Sequence, residues 1–298
     1  MIEINEVTKI LGGREVLKRV SLKVPQGTVF GLVGENGAGK TTLIKCITGI
    51  YRPEQGQVRV GDQEVFDNPA VKAKIGYVAD QNQYFHGMKI KEVLRFYQLS
   101  YPRFSGERFH GLNRLFQLDL NKRVKDLSKG MKMRLALGLS LSIYPEVLVL
   151  DEPTSGLDPL AKRQVTGLLL REIEERRVTV FISSHHLSDL ERICDQVAMI
   201  SQGEIKYVNS LEGMKRSMKK LQVVFRAEPP QDLRDWSEVL SLEQVGRVHY
   251  LVTGEYSQAL VEKLRRCGLV LLEEVDLSLE DMFIYAAGEG LRHDEVLV

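Results

Sequence analysis

Short apolar runs alternate with helical patterns through the first half of the chain, which predicts an α/β domain built on parallel strands. Ser21–Val24 and Val29–Val33 read as strands on either side of the turn Pro25-Gln26-Gly27, and Lys40–Gly49 as a helix that ends at its glycine. Gln57–Val60, bracketed by Gly56 and Gly61, and Ile75–Ala79 read as further strands. From Met88 the period changes. Ile90, Val93, Leu94 and Tyr97 stand at i, i+3, i+4 and i+7, one face of a helix. Phe109, Leu112, Leu115 and Phe116 repeat the pattern, and Lys129–Ile143 is a third helical stretch, so residues 85–143 read as a helical insertion between strands. Eight of the 21 aromatics fall within 84–116, which predicts a small core for that insertion, with a partner-docking surface as the alternative.

After Pro145, Val147–Leu150 is fully apolar and ends in Asp151-Glu152, the pattern of a buried parallel strand with acids at its carboxyl end. Leu160–Arg176 reads as a helix, Val178–Ile182 as a strand, Leu187–Cys194 as a helix and Val197–Ile200 as a strand before the turn at Gly203. The charged stretch Glu212–Lys220 reads as a linker to a smaller α+β unit. Its expected strands are Val223–Arg226, Val248–Thr253 and Val270–Val275, with a helix at Ser257–Cys267. Charge divides the chain at the same place. Residues 1–215 carry 31 Lys+Arg against 25 Asp+Glu, and residues 216–298 carry 10 against 15. The expectation is a basic first domain, 1–215, as polyphosphate binding would favour, and an accessory domain, 216–298.

The net charge of +1 gives no global field for nucleic acid. Cys46, Cys194 and Cys267 form no CxxC pair and read as reduced, mostly buried thiols of a cytosolic protein. Met1–Lys9 carries Glu3, Glu6 and Lys9 and lacks an apolar core segment, so no secretory leader is expected. The longest uncharged apolar stretch, Leu135–Pro145, is well short of the roughly 20 residues that span a bilayer.

Candidate chemistry starts at Gly34-Glu35-Asn36-Gly37-Ala38-Gly39-Lys40-Thr41, which fits the phosphate-binding P-loop pattern between the strand Val29–Val33 and a helix. Its glycines let successive backbone N–H groups face phosphate oxygens, and the helix beginning at Lys40 adds its positive end. The Lys40 ammonium reaches the outer phosphates, and the Thr41 hydroxyl suits Mg²⁺. Such a site needs a carboxylate for the metal and a group to orient the attacking water; Asp151 suits the first role and Glu152 the second. Both fall at the carboxyl edge of a parallel sheet, where α/β folds place ligands.

With these elements in order, residues 1 to about 210 resemble the ABC ATPase family. Leu127-Ser128-Lys129-Gly130-Met131 is similar to the family signature Leu-Ser-Gly-Gly-Gln, Ser155-Gly156-Leu157-Asp158 to the D-loop, and Ser184-His185 to the switch histidine. The resemblance implies a P-loop NTPase fold: a RecA-like parallel core, an N-terminal antiparallel β subdomain and a helical subdomain. It also implies ATP and Mg²⁺ as cofactors. ATP is sandwiched head to tail between two subunits, of one kind or two. Gly34–Thr42 of one subunit, Thr42 included, hold the phosphates, while Ser128 and Gly130, with no obvious task in their own subunit, reach the γ-phosphate of the other. Glu152 is then the general base, His185 contacts the γ-phosphate, and Asp158 of the D-loop counts among the ATP-binding residues.

Besides Lys129 and Met131 in the signature, two places depart from the family pattern. Asp80 stands where the Q-loop glutamine is usual and Gln81 follows it, so either is a candidate Mg²⁺ sensor; Leu11 stands where an aromatic residue usually stacks on adenine. The tail of about 80 residues makes the chain most similar to ATPases of bacterial ABC-2-type exporters. That implies a separate membrane permease as partner and a cytoplasmic location on the inner face of the membrane. Tyr84, Phe85 and His86 fall in the loop expected to face the permease. His186 reads as a surface or capping residue, and Lys129, Lys132 and Arg134 as a solvated or phosphate-facing cluster. No nucleic-acid partner is expected. A soluble ABC ATPase acting on nucleic acid or ribosomes, and a nucleotide-gated regulator with little turnover, are the competing readings.

Overall fold

A computed structural model describes residues 1–81 and 87–286, which fall into two units, Met1–Val208 and Asn209–Val298. The loop residues Tyr84, Phe85 and His86 lie outside the described residues.

The first unit opens with an antiparallel pair, Ile2–Leu11 (β1) and Arg14–Val24 (β2). Most of this hairpin is not evident in the sequence. Its register shifts between Ile4 and Val7, where Glu6 takes φ 47°, so Ile2, Ile4 and Val7 all point inward although their spacing breaks strict alternation. Val29–Val33 (β3) leads into Lys40–Ile47 (α1), and Gln55–Val60 (β4) returns to pair with β1. An added Cβ at Gly56 would stand 2.3 Å from the Asn5 carbonyl oxygen, so only glycine permits this approach. Gln63–Glu64 (β5) completes a sheet in the order β2-β1-β4-β5. The short helix Pro69–Lys72 (α2) then gives way to Ile75–Val78 (β6).

The helical insertion consists of Ile90–Ser100 (α3), Gly106–Phe116 (α4) and Lys129–Ser142 (α5). α5 is buried without interruption from Leu135 to Ser142, as befits a helix apolar nearly all round. Six of the eight aromatics of 84–116 lie among the described residues. Phe109 and Phe116 are fully enclosed, Tyr97 stacks on Tyr101 and meets Phe104 at a tilt, and Phe96 is 47% exposed. Arg108 of α4 donates to both carboxylate oxygens of a buried glutamate, Glu172. Tyr144 lies under the guanidinium groups of Arg108 and Arg176, at 4.9 and 4.3 Å. These contacts fasten the insertion to the helix Pro159–Arg176 described next.

Val147–Asp151 (β7) precedes Pro159–Arg176 (α6), and Thr179–Ser184 (β8) follows it. The helix expected over Leu187–Cys194 stops at Leu190 (α7); Ile193 and Cys194 continue in a turn that leads to Gln196–Ser201 (β9) and Glu204–Ser210 (β10). The central sheet has the order β10-β9-β3-β8-β7-β6, with parallel pairing from β9 through β6. Every residue of β3, β7 and β8 is buried, because both faces are covered. The carboxyl ends of β3, β8, β7 and β6 therefore open side by side on one edge.

The second unit starts before the stretch read as a linker, which forms a helix, Leu211–Ser217 (α8). Ser210 caps it, and only Leu211 and Met214 are buried, too few apolar positions to show a period. Lys219–Phe225 (β11), Val239–Val245 (β12), Val248–Thr253 (β13) and Leu269–Val275 (β14) form an antiparallel sheet in the order β12-β13-β11-β14. Gln258–Arg266 (α9) supplies Leu260 and Leu264 to a core with Leu221, Val223, Phe225, Leu233 and Leu251, and Leu279–Ala286 (α10) ends the described chain. β12 escapes sequence reading because it is an edge strand, exposed at Leu240, Glu243, Gln244 and Val245. All three cysteines are free. Cys46 and Cys194 are buried, burial raising the Cys46 thiol pKa to about 12, and Cys267 is half-buried.

Candidate active site

The loop between β3 and α1 is shaped by contacts on both sides. An added Cβ at Gly34 would come within 2.3 Å of the Ile200 carbonyl oxygen, so β9 dictates this glycine. Gly37 and Gly39 take φ 85° and 112°, which side chains resist. Gly39 is the N-cap of α1 and makes no side-chain capping bond, leaving the first N–H groups of the helix free for an anion. Lys40 is 6% exposed, and its ammonium donates to the carbonyls of Gly34 (2.6 Å) and Glu35 (3.2 Å). The loop thus holds its cation over its own concave face.

Three strand ends complete the site. Asp151 closes β7; it is buried, and the Ser183 hydroxyl on β8 donates to its Oδ1 at 2.7 Å. Glu152, one residue on, takes φ 50°, which turns its side chain back toward the loop. Its Oε1 lies 3.6 Å from Lys40 Nζ and is buried without a hydrogen-bond partner. Its Oε2 lies 2.8 Å from His185 Nδ1, just past the end of β8. A lysine from one strand end, a carboxylate from the second and an imidazole from the third therefore form one chain of contacts.

A cleft of about 410 Å³ lies over this chain, lined by Leu11, Val16, Glu35, Asn36, Gly37, Gly39, Lys40, Thr41, Thr42, Asp80 and Glu152. Leu11 belongs to this wall, and Val16 on β2 was missed because the hairpin carrying it was largely unread. Asp80 lines the cleft, whereas Gln81 is exposed and outside it. Gly34, Ala38, Asp151 and His185 stand behind or beside the cleft and line no part of it; the Ala38 carbonyl accepts from the Gly203 N–H. Ser183, the hydrogen-bond partner of Asp151, had no sequence signal beyond its place at the end of an apolar strand.

Ser128, Gly130 and Asp158 are absent from the lining of the cleft. Ser128 has a task within its own subunit after all: as N-cap of α5, it accepts from the Met131 N–H at 3.3 Å. Gly130 has none of that kind, since an added Cβ would meet only Leu157, at 3.4 Å. Asp158 caps α6, accepting from the Ala161 N–H at 2.9 Å with Pro159 at the first helical position. His186 holds the N-cap position of α7 but makes no side-chain cap; its ring centroid lies 3.9 Å from that of His185.

Comparison with known proteins agrees with this geometry. Residues 17–155 match the family model described as "ABC transporter". The chain is 30% identical over 292 residues to the ABC transporter ATP-binding protein YtrB of Bacillus subtilis, covering 98% of this chain and all of the relative. It is 29% identical to the bacitracin transport ATP-binding protein BcrA of Bacillus licheniformis, covering 97% of this chain and 98% of that protein. A solved ATP-binding subunit of an ABC transporter is 26% identical and superposes with TM-score 0.66, covering 72% of this chain and 92% of its own. A dimeric bacterial ABC transporter cassette, MJ0796, is 25% identical, with TM-score 0.65, over 71% of this chain and 99% of its own. In fold, in the order of its motifs and in kinship along nearly its whole length, the chain belongs to the ABC transporter family, as an ATP-hydrolysing, ATP-binding subunit.

Proposed function

We propose that the chain drives export of a substrate through a separate membrane permease, and that it does so as a pair of cassettes sharing two ATP molecules. The observation that carries this reading is the contact chain Lys40–Glu152–His185, at 3.6 and 2.8 Å, beneath a cleft walled by the Gly34–Thr42 loop. The N–H groups of the loop and of the first turn of α1 receive the phosphates. Lys40 exchanges its carbonyl contacts for phosphate oxygens, a charge-assisted and stronger pairing. Leu11 and Val16 give the base an apolar wall, with no aromatic ring among the described lining residues.

Thr41 and Asp151 suit Mg²⁺. Among the described residues no three His, Cys, Asp or Glu side chains gather into a metal cage, and Mg²⁺ favours one or two protein oxygens plus phosphate and water. When bound, it would neutralise charge on the β- and γ-phosphates. The open, buried Oε1 of Glu152 is the acceptor for a proton of the attacking water, while His185 fixes the other oxygen. As the water oxygen bonds to the γ-phosphorus, its proton passes to Glu152 and the bond to ADP breaks. Of the two Q-loop candidates only Asp80 lines the cleft, and its Oδ1 is engaged by Lys129 at 2.9 Å, so Mg²⁺ is left to Thr41 and Asp151.

Ser128 and Gly130 serve the facing cassette. Capping leaves the first turn of α5 intact as an anion-binding end, and Gly130 has spare room within its own subunit. A second copy of this chain suffices, because one sequence carries both halves of the motif set. No helix among the described residues is long and apolar enough to cross a membrane, so a permease supplies the crossing and holds the chain at the inner membrane face. A relative named for bacitracin transport covers 97% of this chain, whereas one named for methionine import, MetN of Clostridium tetani, matches 69%. Tagged at its native level, the chain is expected to leave detergent-solubilised membranes with a multi-span protein. Recovery free of any membrane partner would remove the permease from the account.

A further inference from the structure

Two departures from the family pattern, Asp80 at the Q-loop position and Lys129 in the signature, meet in space. Lys129, in the signature, points its ammonium at Asp80, with Nζ 2.9 Å from Oδ1 and 3.3 Å from the Ser155 hydroxyl. Its stem runs along Gly156, where an added Cβ would lie 3.3 Å from Lys129 Cδ. One side chain therefore joins the first turn of α5, the segment after β6 and the turn that follows Glu152.

Charge explains why such a bridge is needed. Glu35, Asp80 and Glu152 bring three carboxylates to the wall of the cleft, and Lys40 is the only cation among the described lining residues. Lys40 already lies 3.6 Å from Glu152. A triphosphate entering this cleft meets Asp80 as a like charge, and like charges set face to face oppose binding. Lys129 offsets that charge from the rear, without entering the cleft lining itself.

We propose that Lys129 is a positioning residue for ATP in its own subunit: it neutralises Asp80 and holds it to the wall, so that a carboxylate can stand beside the triphosphate. The proposal rests on the reading of the cleft as the nucleotide site.

The size of the effect follows from exposure. The side chains are 36% and 46% exposed, so solvent screens the pair and the change in affinity is modest. Lys129→Met keeps the stem against Gly156 and removes the charge. Its Kd for MgATP, read with a fluorescent ATP analogue at low salt, is expected to rise about three- to fivefold. Affinity for the analogous AMP should stay within about twofold, because the penalty falls on the outer phosphates. Adding Asp80→Asn to Lys129→Met should recover most of the lost affinity, Lys129→Arg should bind as wild type does, and 0.5 M salt should shrink the difference.

Equal affinity of Lys129→Met and wild type at low salt would overturn the proposal. So would a loss that Asp80→Asn leaves unrepaired, which would assign Lys129 to some contact other than Asp80. Wild-type chain that binds no MgATP would overturn the reading of the cleft, and this proposal with it.

Discussion

Replacing Lys40 by alanine is expected to remove measurable MgATP binding, raising Kd by at least about 100-fold. The ammonium is buried, and its charge-assisted hydrogen bonds to phosphate are each worth about 1.5–3 kcal/mol. Two such bonds give roughly 3–6 kcal/mol, and every 1.4 kcal/mol is a factor of ten in Kd. The change also leaves the enclosed Glu152 without its nearby cation, 3.6 Å away in the wild type, so an uncompensated carboxylate would face the triphosphate. Calorimetric titration of the purified chain checks this, with circular dichroism to show that the fold persists. Unchanged affinity would place the nucleotide elsewhere.

The second large effect is on turnover. Glu152→Gln keeps the shape of the side chain and its reach to His185 but gives up a proton acceptor, so ATP should bind and stay intact. General-base contributions are typically of order 10²–10⁴, and a fall in kcat of about 10²-fold or more is expected, with KM little changed. Phosphate release at saturating ATP, compared between the two proteins, reads this directly. Rates equal within error would mean that another group activates the water and that the orphaned Oε1 has a different purpose. His185 acts through Glu152 as well as toward phosphate, so the variants at 152 and 185 should combine less than additively.

Much of the site was legible because its residues follow short, strongly patterned strands. Val29–Val33, Val147–Leu150 and Val178–Ile182 are buried throughout and read as short, mostly apolar runs, so the polar residues at their ends stood out. Gly34 to Lys40 declared themselves by spacing. What stayed hidden depends on contacts between distant residues. The bulge at Glu6 breaks the alternation of β1 and conceals the hairpin whose Leu11 and Val16 wall the cleft. Ser183 holds Asp151 across two strands that only the sheet order makes neighbours. Ser128, read as serving the facing subunit alone, proves also to cap its own helix. Asp80 and Lys129 each looked like an isolated irregularity, and 49 residues of sequence separate them. In the second unit α8, β12 and α10 are short or at an edge, where few buried positions set a period.

The central claim is that ATP completes its site between two cassettes. Its most direct test is the mass of the Glu152→Gln chain in solution, measured by light scattering with and without MgATP. The account predicts a monomer that doubles in mass when MgATP is added and reverts in ADP. It also predicts that Gly130→Arg, which fills the space left beside Leu157, abolishes the doubling while leaving ATP binding intact. A chain that binds MgATP and remains a monomer at every concentration would contradict it.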